Sequence, residues 1–176
     1  MKAALGFFTG AGMVSPGNTP LIPIMTSHTT PSGVASASSE WTAGAYPAWW
    51  AFDGNLAHTV YECWASEDGA AAPHWLGYEF PAPVVATRYR IHPFPGDTYG
   101  PAADGRNPRD FTLQGSLDGS IWTTLDTQTG HTDWANGGEP KEFAFANGTA
   151  YAFYRLHMTE NNGGAVYQIS QLQLFG

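Results

Sequence analysis

Cysteine is nearly absent from this 176-residue chain, and the single Cys63 excludes an internal disulfide framework. It reads as a small buried hydrophobe rather than a nucleophile. Cations are scarce as well: two Lys and five Arg stand against fifteen acidic residues, for a net charge of −8. That is too little positive charge for a phosphate backbone, so nucleic acid is excluded as a partner. The same acidity disfavours an anionic membrane surface. No apolar run approaches the ~20 residues of a membrane span, so no membrane insertion is expected. Residues 1–15 hold Lys2 and a short apolar stretch, but Gly6, Gly10 and Gly12 interrupt it and no small-x-small cleavage site follows. A secretory signal peptide is therefore not expected. The protein then stays where it is made or leaves by another route, such as release with a virus particle, which places it on a virion or outside the cell.

Catalytic constellations are missing too. The six His residues stand singly, without zinc-ligand spacing, and no Gly-x-Ser-x-Gly elbow occurs. Glu67-Asp68 lies in a Gly/Ala loop and reads as a solvated turn. Glycoside cleavage needs two convergent carboxylates, and nothing places a second one. An enzyme is not expected.

What the chain has in quantity is Gly (21), Pro (13) and aromatics, seven of them Trp, with 43% apolar residues overall. That composition suits one packed domain with chain left over for an arm. Residues 1–33 are Pro- and Gly-punctuated, and Pro20 and Pro23 force Leu21, Ile22, Ile24 and Met25 into extended backbone. Such an apolar segment is either a strap on its own domain or an arm that docks on another subunit. From residue 34 the pattern changes to short β-like runs, at 34–38, 74–80, 84–93, 110–117, 121–128, 141–145, 151–159 and 167–175. Tyr154, Leu156 and Met158 share one face of their run, and Phe153, Arg155 and His157 the other. Asp118-Gly119 supplies the positive φ of a tight hairpin turn. No helical stripe appears. The predicted fold class is an all-β sandwich over 34–176, with long loops at 41–50, 65–73, 94–109, 130–140 and 160–166 clustered at its ends. Trp122, Trp75 and Phe80 read as core, and Arg155 as a partner for a carboxylate such as Glu79.

The string Leu113-Gln114-Gly115-Ser116-Leu117-Asp118-Gly119-Ser120-Ile121-Trp122 resembles the "GS-x-DG-x-x-W" hairpin of discoidin-like (coagulation-factor C-type) domains and of the related galactose-binding-like carbohydrate-binding modules. Ala51-Phe52-Asp53-Gly54-Asn55 with Trp64-Ala65-Ser66, then Trp75-Leu76-Gly77-Tyr78-Glu79-Phe80, Tyr154-Arg155-Leu156 and the closing Ile169-Ser170-Gln171-Leu172-Gln173-Leu174-Phe175-Gly176 match that pattern in order. The wording is closest to versions in phage virion proteins, which also lack the disulfide of the animal domains. The resemblance implies a discoidin-like jelly-roll β-sandwich.

It also implies a structural calcium site built from this loop, a downstream Thr and an acidic residue near the chain end. Asp53, Asn55 and Thr59 match, whereas Gln171 stands at the acidic position with a neutral oxygen. The competing reading of Asp53-Gly54-Asn55 is an Asx turn. Sugar recognition wants an aromatic platform with planar polar groups on rigid loops. The 94–109 loop carries Asp97, Tyr99, Asp104, Arg106 and Asn107, and by family analogy His92, Trp134, Asn161 and Asn162 join them. Each also has a plain structural reading: Arg106 as a solvated charge, Trp134 as a lid over the core, Asn161-Asn162-Gly163-Gly164 as a turn. The function expected is a non-catalytic glycan-binding module, displayed on a phage tail or capsid for attachment to host-surface polysaccharide. The alternative is a virion decoration or connector without sugar binding, anchored to other virion proteins through residues 1–33, with a homo-oligomer possible for either.

Overall fold

The computed structural model describes residues 17–42, 44–56, 62–95, 105–134 and 139–176. Within them nine strands form two antiparallel sheets: β1 (Val34–Ala37), β2 (Trp64–Ala65), β3 (His74–Val84), β4 (Arg88–Pro93), β5 (Pro108–Ser116), β6 (Thr123–Gln128), β7 (Lys141–Ala144), β8 (Tyr151–Asn161) and β9 (Gln168–Phe175). One sheet runs β1-β3-β8-β5-β6 and the other β2-β9-β4-β7. A single 3-10 turn at Ala48–Phe52 is the only helical element among the described residues.

The core follows from period-two alternation, because successive side chains on a strand point to opposite faces. Leu76, Tyr78 and Phe80 of β3, Phe111 and Leu113 of β5, and Tyr154, Leu156 and Met158 of β8 face inward and are buried. From the other sheet, Tyr89, Ile91, Ile169, Leu172 and Leu174 meet them. Tyr154 donates its hydroxyl to Val84 O at 2.8 Å and accepts from Ala86 N, so its polar tip is satisfied inside the core.

Three expectations need correction. Trp122 and Trp75 are half-buried on the outer face of the five-stranded sheet. Trp122 precedes β6 rather than lying in it, and its ring is covered by the Arg155 guanidinium, 3.8 Å from the centroid. Arg155 does not pair with Glu79, because the register sets it opposite Gly77 and sets Glu79 opposite Phe153. Its Nε donates to Gln114 Oε1 at 2.7 Å instead. The β5–β6 connection is longer than a two-residue turn: Asp118 Oδ1 accepts the N–H groups of Ser120 and Ile121, and Gly119 supplies a φ of 73°.

Residues 17–33 lie on the sandwich. Leu21 N donates to Leu174 O at 2.7 Å, Met25 N donates to Phe52 O at 3.0 Å, and the Ile22 and Met25 side chains are part of the core. Of the four apolar residues in that segment Ile24 alone is well exposed, at 67%.

Candidate functional site

Four loops meet at one end of the sandwich: the one after β1, the β2–β3 loop, the β4–β5 loop and the β8–β9 loop. They enclose a cleft of about 480 Å³ lined by Trp41, Asp68, Arg106, Asn162 and residues 163–166. Backbone hydrogen bonds fix the rim. Trp41 N donates to Ala65 O at 2.9 Å, Gly69 N to Ala165 O at 3.2 Å and Gly164 N to Gly105 O at 2.9 Å. Glycine is required where the last two loops touch: a Cβ on Gly164 would stand 2.8 Å from Gly105 C, and one on Gly105 would stand 2.9 Å from Gly164 N.

Arg106 reaches over this floor. One Nη donates to Gln168 Oε1 at 2.8 Å, and its guanidinium carbon lies 5.9 Å from the Trp41 and Phe94 ring centroids. Among the described residues no carboxylate pairs with it. Asn162 donates its amide to Asn107 O and His131 O, at 3.0 and 3.1 Å, which holds the side chain at the cleft. Asp68 lines the cleft and is exposed. Trp41 therefore offers a ring face, Arg106 offers N–H donors, and Asp68 and Asn162 offer oxygens. A shallower depression lined by Arg109, Thr132, Glu160, Asn161 and Tyr167 shares Asn162 and Gly163 with it.

Of the sugar candidates, Arg106 and Asn162 are brought together here. Asp97, Tyr99 and Asp104 lie outside the described residues. Three others are corrections. Asn107 is 1% exposed and clips the backbone at Phe94, accepting from its N–H at 2.8 Å and donating to its carbonyl at 3.1 Å. Trp134 is buried and donates its indole N–H to Pro108 O at 2.8 Å, as a lid over the core with Lys141 above its ring. His92 is buried within β4, beside Gln173 at 3.3 Å. Asn161 sits next to the cleft, but its amide closes the loop by donating to Gly164 O and Val166 O. Trp41 and Asp68 were missed. The signal available in the sequence was an aromatic in a long loop and an acid pair with no strand around it.

The Asp53 loop has a different organisation. Asp53 Oδ1 accepts from Asn55 N at 2.8 Å, an Asx turn. Gln171 threads into it: Oε1 accepts from Gly54 N at 3.0 Å, while Nε2 donates to Trp50 O and to Asp53 Oδ1, each at 2.6 Å. Asn55 donates its amide to Glu62. Thr59 lies outside the described residues. The oxygens that would bind calcium thus converge on an amide NH2, and as arranged these residues do not fit a cation. Burial raises the Asp53 carboxyl above its ordinary range, and the hydrogen bonds from Asn55 and Gln171 oppose that rise only in part. Cys63 is buried with its thiol pushed up to about 12 by desolvation, so it is not a nucleophile.

Two antiparallel sheets with this strand order carry the closing β9 between β2 and β4, and the F5/8 type C domain family matches residues 34–172. The chain belongs to the F5/8 type C domain family. Among curated proteins none matches the sequence. Solved structures share the fold of this F5/8 type C domain. The CpGH89CBM32-5 module from Clostridium perfringens, in complex with GalNAc-β-1,3-galactose, is 20% identical with a TM-score of 0.63, over 82% of this chain and 95% of that one. The family 32 module of NanJ from C. perfringens, in complex with galactose, is 18% identical at 0.63, over 82% and 93%. Chitosan-binding module 1 from a chitosanase/glucanase of Paenibacillus sp. IK-5 is 21% identical at 0.65, over 90% and 99%.

Proposed function

We propose that this F5/8 type C domain is a non-catalytic glycan-binding module and that the loop cleft is its sugar site. The observation that carries this reading is the grouping of Trp41, Arg106, Asp68 and Asn162 around one cleft of about 480 Å³. A pyranose has an apolar face that packs on an indole and hydroxyls that need planar donors and acceptors, and this set supplies both. Its volume lies in the ~300–1,000 Å³ range of small-molecule sites. The galactose and GalNAc-β-1,3-galactose complexes of the similar structures support the same ligand class. A glycan array with the full chain and with Trp41→Ala and Arg106→Ala tests it. Binding lost in both variants at unchanged melting temperature is expected; binding retained in both would remove the cleft from the account.

A finer reading is display on a virion for attachment to host-surface polysaccharide. Its support is the wording of the hairpin and closing-strand motifs and the disulfide-free chain. The anchoring role of residues 1–33 has narrower support, because Ile22 and Met25 pack on their own domain and Ile24 is the exposed apolar residue of 17–33.

A further inference from the structure

A second concavity lies on the outer face of the five-stranded sheet, built on strands rather than loops. Its floor follows one row across the sheet, in which Ser36, Gly77 and Arg155 are successive cross-strand partners on β1, β3 and β8. The outward positions of β3 run Trp75, Gly77, Glu79, so the missing side chain in the middle opens a gap between a large ring and a carboxylate. A Cβ at Gly77 would stand 3.0 Å from Tyr154 O and 3.1 Å from Arg155 Cβ, so any larger residue there would have to push its neighbours aside. Trp75, Trp122 and Phe153 bound the groove, whose volume is about 200 Å³, enough for one ring rather than a drug-sized ligand.

Arg155 dominates its chemistry. The guanidinium stacks on Trp122 at 3.8 Å and lies 6.0 Å from the Trp75 centroid. Only its Nε is used, and the acceptor is the neutral Gln114 amide. Arg88, Arg90, Arg109 and Lys141 each pair with a carboxylate. Arg106 serves the loop cleft. Arg155 alone among the remaining described cations has aromatic neighbours, no counter-charge and two Nη groups without a hydrogen bond among the described residues. Burial draws it below its ordinary pKa, as expected of a cation whose desolvation no anion offsets.

We propose that this groove is a second binding site, for an acidic sugar, whose carboxylate takes the two Nη groups of Arg155 while its ring packs over Gly77 between Trp75 and Trp122. A guanidinium presents paired donors to a carboxylate in one plane, and the indoles keep that plane fixed. Ser36 and Glu79, which line the groove, are in place for hydroxyls. Glu79 also repels a second negative charge, which favours a singly charged hexuronate ring over a polyanion. The ligand class rests on the carbohydrate-binding reading; the groove itself shares no residue with the loop cleft.

The test follows the seven indole N–H signals of the ¹⁵N-labelled full chain by NMR. Galacturonic acid, with its single carboxylate, is expected to shift Trp75 and Trp122, and its methyl ester, with the same ring and no charge, to bind about tenfold or more weakly. Arg155→Gln should lose the acid by a similar factor, and Arg155→Lys should recover only part, since a point charge lacks the fork. Should Arg155→Gln fail to fold, the acid–ester comparison on the unaltered chain decides. Equal binding of acid and ester, silent Trp75 and Trp122 signals, or an equal response to a Glu-containing peptide would each overturn the proposal. A neutral galacto-oligosaccharide in parallel reports on Trp41, so failure of the loop cleft registers separately from failure of the groove.

Discussion

The two tryptophans Trp64 and Trp122 show how burial, not residue type, decides what a side chain contributes. Trp64 is 0% exposed and donates its indole N–H to Ser39 O at 3.0 Å. Trp122 is half-buried on the sheet face under one guanidinium. Trp64→Ala should cost about 3–5 kcal/mol, the range for deleting a buried aromatic. Trp122→Ala should cost about 1–2 kcal/mol, near the value of a half-desolvated cation–π contact. Urea denaturation midpoints measure both, and equal losses would show that Trp122 is core after all. Period-two alternation made the inward residues of β8 readable in the sequence, Tyr154, Leu156 and Met158 among them. It could not place Trp122, which sits at the end of a loop where strand parity no longer applies. Asn107 and Trp134 keep two readings in the sequence for a related reason: a polar amide or an indole in a loop can point to solvent or clip the backbone, and only packing decides which.

At the scale of elements, eight strands were visible in the sequence because each carries five or so residues of alternation or a β-branched and aromatic run. β2 was not, since the two residues Trp64–Ala65 are too short to show any period. The loop end was legible as a place, through its Gly and aromatic content, but not as a set of contacts, because Trp41, Asp68, Arg106 and Asn162 come from four separate connections. The meeting of the 3-10 turn with β9 yields a prediction of its own. With the Gln171 amide bridging Trp50 O and Asp53 Oδ1, EDTA should leave the melting temperature of the protein unchanged. Gln171→Glu should put two carboxylates side by side, lower the melting temperature, and make it recover on adding calcium, since a ligand bound only by the native state stabilises by mass action. Calorimetry with and without calcium reads this directly, and an EDTA-sensitive wild type would return the loop to the cation reading.

For the whole molecule, residues 17–33 pack on the sandwich as a strap rather than standing free of it. Met25 is 1% exposed and Ile22 6% exposed, both inside the core. Removing residues 1–25 should therefore destabilise the sandwich by about 3–6 kcal/mol, the sum expected for two buried aliphatic side chains less the ordering of the strap. A truncated protein that melts as the full chain does would restore the arm as a separate element. The place of β9 has a consequence for how the protein is made. It pairs with both β2 and β4, so the four-stranded sheet has no middle until residues 168–175 have left the ribosome. Until then two strand edges and the inward rings of β3 and β8 wait without a cover, so the sandwich closes only when this late, long-range pairing has formed.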